Sequence, residues 1–97
     1  DDAVIDCSMV SEGSMILGEV EHSVIFPGVT VAKGAKVSNS VIMPNTVIEE
    51  GAVVDYAIVA QNCTIEEGAA VVGERGAVNV VADGETVSAE AGTKQAG

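Results

Sequence analysis

Basic residues are scarce: four Lys and Arg stand against fifteen Asp and Glu, a formal charge of −11 over 97 residues. Nucleic acid is bound by clustered cations that displace counterions from the phosphate backbone, so DNA, RNA and anionic membranes are poor partners. Leucine is nearly missing, with Leu17 alone against eighteen Val and seven Ile, and the aromatic residues are Phe26 and Tyr56 without any Trp. β-Branched side chains favour strands and lose rotamer freedom in helices, which excludes a helical bundle and points to an all-β chain with an aliphatic core. The two cysteines, Cys7 and Cys63, lack C-x-x-C spacing and give no disulfide framework. No apolar run approaches the roughly 20 residues that span a bilayer, and no basic segment precedes a hydrophobic one. A soluble, unsecreted, cytoplasmic protein is expected. With 47% apolar residues the chain can build one core, which leaves no room for a catalytic domain beside a regulatory one. Its start at Asp1 and its small, polar end, VSAEAGTKQAG, read as those of a piece of a longer polypeptide.

What is present is a repeat. Three 17-residue blocks align without gaps: SVIFPGVTVAKGAKVSN from Ser23, SVIMPNTVIEEGAVVDY from Ser40 and AIVAQNCTIEEGAAVVG from Ala57. In each, a small or aliphatic residue, one free position and an aliphatic residue recur at steps of six, six and five. The aliphatic members are Ile25, Val31 and Val37, then Ile42, Ile48 and Val54, then Val59, Ile65 and Val71. Alternation places the first and third side chain of each triplet on one side of a short strand and the middle one on the other. Two corners of each block carry residues that enter left-handed backbone at low cost: Gly28, Asn45 and Asn62 at the first, Gly34, Gly51 and Gly68 at the second. Pro27 and Pro44 share a corner position, where a missing N–H harms no ladder. Three strands and three corners per block predict a triangular solenoid of parallel strands stacked about 4.8 Å apart.

The pattern extends in both directions. Upstream, Met9-Val10, Met15-Ile16 and Glu19-Val20 make a shorter coil, since Ser8 precedes Ser23 by fifteen residues. Downstream, Val81 to Val87 is expected to recover the second and third faces with Gly84 at the glycine corner, and Gly73 to Asn79 to form a loop or a degenerate strand. The β-solenoid is thus expected over residues 3–87, about five triangular coils, with a disordered tail over 88–97.

The run SEGSMILGEVEHSVIFPGV followed by SVIMPNTVIEEGAVV resembles the C-terminal domain of bacterial glucose-1-phosphate adenylyltransferases (ADP-glucose pyrophosphorylases). The resemblance implies a single-stranded left-handed parallel β-helix of hexapeptide repeats. The left hand comes from the resemblance, because parallel crossovers are otherwise right-handed. It implies a parent that transfers an adenylyl group from ATP to glucose 1-phosphate with Mg²⁺, in glycogen synthesis. It also implies that this part, without a glycine-rich nucleotide loop or a paired-Asp metal setting, serves subunit assembly and allosteric control. Catalytic, cofactor-binding and metal residues are therefore expected to be none. The expected partners are the parent's own N-terminal catalytic domain, neighbouring subunits in a homo- or hetero-oligomer, and a sugar-phosphate effector. For the effector the chain departs from the family: Gln61 stands at a corner where regulated members place a cation, and VVADGETV holds none.

Single residues admit more than one reading. His22 is either the general base of a hexapeptide acyltransferase or a polar residue on the rim of the short coil, and no acyl-carrier signature accompanies it. One histidine cannot supply the three that γ-class carbonic anhydrases use. Cys63 shares the small inward slot of Val29 and Thr46 and reads as a buried small hydrophobe. Glu49-Glu50 and Glu66-Glu67 read as solvated corners rather than a divalent-ion site. Arg75, the sole arginine, is a candidate contact for an effector or the catalytic domain, against a plain surface charge. The outward row of the first face, Met9, Val24, Val41 and Ile58, bordered by Phe26 and Met43, is an apolar stripe of the kind that marks an interface. A sugar-nucleotide acyltransferase and a self-associating structural solenoid are the alternative assignments.

Overall fold

Because every third corner returns the chain to the column where it began, sequence neighbours seldom pair and residues one coil apart always do. The computed structural model describes residues 4–6, 9–89 and 94–95, the first and last of these as backbone alone. Sixteen short strands and no helix occur among them. One sheet contains β1 (Val4–Asp6), β4 (Glu19–Glu21), β7 (Lys36–Ser38), β10 (Val53–Asp55), β13 (Ala70–Val72) and β16 (Lys94–Gln95), in that order. A second contains β2 (Met9–Val10), β5 (Val24–Ile25), β8 (Val41–Ile42), β11 (Ala57–Val59) and β14 (Asn79–Val81). A third contains β3 (Met15–Ile16), β6 (Thr30–Val31), β9 (Val47–Ile48), β12 (Thr64–Ile65) and β15 (Thr86–Val87). All strand pairs are parallel. The architecture matches a left-handed parallel β-helix, with about four turns where about five coils were expected.

The aliphatic register is the one read from the repeat. Ile25, Ile42 and Val59 line the second sheet's interior, Val31, Ile48 and Ile65 the third's, and Val37, Val54 and Val71 the first's, all buried. The small inward slots are equally hidden: Ala35, Ala52 and Ala69 at one corner, Val29, Thr46 and Cys63 at the next, Ser23, Ser40 and Ala57 at the third. Polar members of these columns are bonded to the backbone. Ser23 Oγ donates to the Glu21 carbonyl at 2.7 Å and accepts from Ser40 N–H at 3.1 Å, and Ser40 repeats the arrangement with Ser38 and Ala57. Thr46 Oγ1 donates to the Ala60 carbonyl at 2.8 Å. Cys63 is a buried free thiol, as expected, and its Sγ–H donates to the Ala82 carbonyl at 2.9 Å.

Both expected corners contain left-handed backbone, with φ of 77°, 63° and 60° at Gly28, Asn45 and Asn62, and 80°, 71° and 75° at Gly34, Gly51 and Gly68. The third corner does the same with His22, Asn39 and Tyr56, at 48°, 51° and 51°. The short first coil loses its two residues between Ile16 and Glu19: Met15 pairs with Thr30, fifteen positions on, whereas Glu19 pairs with Lys36, seventeen on. Gly18 fills that cut corner, and a Cβ there would run into the Ala35 carbonyl oxygen and lie 2.6 Å from that of Ala32.

The downstream register needs correction. Val81 pairs with Val59 on the first face and Val87 with Ile65 on the second, so this coil occupies the first and second faces, not the second and third. Gly84 accordingly donates its N–H to the Gln61 carbonyl, the bond that Asn62 makes to Pro44, and belongs to the first corner. The cause is a five-residue insertion, Glu74 to Val78, after which Asn79 rather than Glu74 sits opposite Ala57. Within the stretch expected as tail, Lys94–Gln95 pair with β13, while 90–93 and 96–97 lie outside the described residues.

Two substitutions test this packing. Ile48→Asp buries a carboxylate in the middle coil, where each coil is held by its neighbours, and should cost several kcal/mol, seen as a lower thermal midpoint; Ile48→Val should cost about 1 kcal/mol. An unchanged midpoint for the aspartate variant would disprove the register. Gly18→Ala should also lower the midpoint, because the obstructing atoms are backbone, whereas Gly76→Ala, with open space around it, should not.

Candidate functional site

The stripe expected on the first face is continuous in space. Met9 pairs with Val24, Val24 with Val41, Val41 with Ile58, and Ile58 with Val80. Parallel stacking puts these outward side chains about 4.8 Å apart, so the five make a row about 19 Å long. Met9 is 71% exposed, Ile58 39% and Val80 55%, while Val24 and Val41 are half-buried by their neighbours. Phe26 and Met43, also half-buried, follow the strands at the adjoining corner, where their N–H groups bond Ile42 and Val59. Val80 escaped the sequence reading because the insertion displaces it from the 17-residue count. The signal that would have recovered it is the N-V-V triplet of Asn79–Val81, whose first member is a polar residue buried in a small inward slot.

The insertion itself is a hairpin. Glu74 and Ala77 exchange backbone hydrogen bonds of 3.0 and 2.9 Å, which leaves Arg75 and Gly76 at the tip, both exposed. At its base, Gly73 N–H bonds the Asp55 carbonyl and Asn79 N–H bonds that of Tyr56, so the ladder closes directly across the excursion. Val78, 42% exposed, stands beside the row. Together with His22, Val24, Asn39, Ser40, Val41, Ala57 and Ile58 it lines a shallow groove of about 290 Å³ along the third corner. His22 is exposed at this corner, and Asn39 Nδ2 beside it donates to Asp55 Oδ1 at 3.1 Å, where Ser38 Oγ also donates at 3.2 Å.

The glutamate corners lie elsewhere. Glu49, Glu66 and Glu67 line a second depression with Ser88 and Ala89, and Glu49 Oε1 accepts the Glu67 N–H at 3.2 Å. Among the described residues no three His, Cys, Asp or Glu side chains converge as a metal site would require, and no helix is long and apolar enough to cross a membrane. Gln61, at the first corner, is exposed and far in sequence from Arg75, whose corner is the third.

Two curated proteins share a short segment with this chain. The glucose-1-phosphate adenylyltransferase of Desulforamulus reducens is 46% identical over 35 residues, and that of Bacillus cytotoxicus 54% identical over 35 residues; each match covers 36% of this chain and 9% of the relative. The chain thus matches only a small part of the length of these relatives. Among solved structures, a hexapeptide transferase family protein from Anaplasma phagocytophilum aligns with 88% of this chain and 74% of its own, at 12% identity and a TM-score of 0.33. The family described as GlmU-like, C-terminal hexapeptide, matches residues 1–90. Nearly the whole coil lies within that match, and the chain belongs to this hexapeptide-repeat family.

Proposed function

We propose that this chain is the C-terminal β-helix of a glucose-1-phosphate adenylyltransferase subunit, catalytic or regulatory, and acts there as an assembly and allosteric domain in the cytoplasm. The observation that carries this reading is the unbroken apolar row Met9, Val24, Val41, Ile58 and Val80 on one face of an otherwise acidic coil. Burying side chains of this size is worth on the order of 1.5 kcal/mol each, enough to hold a catalytic domain or a neighbouring subunit after the entropy of association. The 35-residue identities to two adenylyltransferases support the choice of parent. Adenylyl transfer, with its Mg²⁺, would be the work of residues outside this chain. Arg75 at the hairpin tip is the contact offered to an anionic effector or to the catalytic domain, while Gln61, on a different corner, offers the effector's phosphate no charge.

A transferase reading draws on a different observation: His22 is exposed at the edge of the groove on the same face, where an imidazole could take a proton from an acceptor hydroxyl or amine. The two separate in one assay of the polypeptide that carries this domain. Pyrophosphate release from ATP and glucose 1-phosphate is expected; thiol release from an acyl-coenzyme A, lost on His22→Ala, would select the transferase.

The interface is tested by Val41→Thr with Ile58→Thr, which keeps β-branching while removing apolar surface. Sedimentation of the full polypeptide is expected to shift to smaller species and its activity to fall. If both stay at the parent level, the row is not the interface.

A further inference from the structure

The two ends of the coil differ. In the last coil the inward aliphatic residues, Val81 and Val87, are buried. In the first they are not: Val10, opposite Ile25, is 36% exposed, and Ile16, opposite Val31, is half-buried, although Ile25 and Val31 are themselves fully buried. Of the nine large apolar side chains exposed among the described residues, four, Met9, Val10, Met15 and Leu17, fall in this one coil, so the aliphatic core opens onto an apolar end.

The backbone is open at the same place. β1, β2 and β3 each end their sheet, with a partner on one side only. The N–H groups of Met9 and Ser11 donate to the Ser23 and Ile25 carbonyls, and those of Met15 and Leu17 to Val29 and Val31. Alternation along a parallel strand aims the Val10 and Ile16 N–H groups the other way, out of the end. An edge that offers backbone donors beside uncovered aliphatic side chains is the surface that a further extended strand completes.

Topology names the occupant. Strands follow one another around the coil as β2, β3, β4, and β1 shares a sheet with β4, so the strand before β1 in a continuing coil lies against β3 and the one before that against β2. From the β6 column to the β7 column the inward residues are six apart, Val31 to Val37, and six positions back from Ile5, the residue opposite Val20, falls ahead of Asp1. Resting on the reading that this chain is one part of a longer polypeptide, we infer that the segment directly ahead of Asp1 packs across this end as a further coil, parallel to β3 and β2, and closes the core. A second copy fits this end less well, because a head-to-tail neighbour would present the far end, where the aliphatic columns are already buried. A segment joined to Asp1 is also held at high local concentration.

Amide hydrogen exchange in the full polypeptide reads this directly. The Val10 and Ile16 N–H groups should be protected there, and replacing the residues directly ahead of Asp1 by a Gly-Ser linker of equal length should speed their exchange by about tenfold or more. Val24 and Thr30, whose N–H groups bond Ser40 and Thr46, should stay protected in both, which shows that the coil itself is folded. Free exchange at Val10 and Ile16 in the unaltered polypeptide would overturn the inference. Protection that survives the linker would overturn it too, by assigning the cover to another surface, and protection that rises with concentration in the linker variant would select a second copy instead. Pyrophosphate release tests the parent separately: its absence alongside linker-sensitive protection would refute the adenylyltransferase and leave this inference standing.

Discussion

The fold depends on one geometric requirement: after three strands the backbone must come back to the same column, one strand spacing further along the axis. A strand that slips by a single residue against the coil below would turn its side chains from the interior to the surface. In the three regular coils the chain meets this with a left-handed residue at each corner, except where the hairpin leaves at Gly73, and the columns of such residues run alongside the aliphatic core they enclose. Packing follows from that return. Valine and isoleucine stack on valine and isoleucine, and the small residues beside them leave room for the corners to close.

Much of this was legible because the repeat writes each constraint several times. The aliphatic rows, the Gly and Asn corners, the half-buried apolar stripe and the role of Cys63 could be read from alignment of three blocks. Two features could not. The third corner hides its backbone requirement behind three different residue types, His22, Asn39 and Tyr56, of which histidine and asparagine favour left-handed backbone but tyrosine does not, so no uniform compositional signal marks it. After Gly73 the count itself fails: a hairpin whose ends meet adds length without changing geometry, and a reading that counts residues assigns Val81 to the wrong face.

The candidate site shows the same division. Across the short first coil and the regular blocks, from Met9 to Ile58, the row was recovered residue by residue. Where the period breaks, Val80 and Val78 were missed, and with them the groove that joins the hairpin to His22. Among the described residues no convergent ligand set marks the spot; it consists of apolar surface and shape, which sequence expresses only through register.

Regularity brings its own hazard, since identical coils can pair with a neighbour once removed and lose only the contacts at the ends. The central blocks of this chain are nearly interchangeable, Glu-Glu-Gly corner on Glu-Glu-Gly corner. The two irregular coils remove that degeneracy. The cut corner at Gly18 fits only where its partner strand lies fifteen residues ahead of it on one side and seventeen on the next, and the hairpin base closes only between Tyr56 and Asn79. They act as index marks at the two ends of a repetitive text, so that a slipped coil finds no matching edge and the native alignment is the one in which both marks are satisfied.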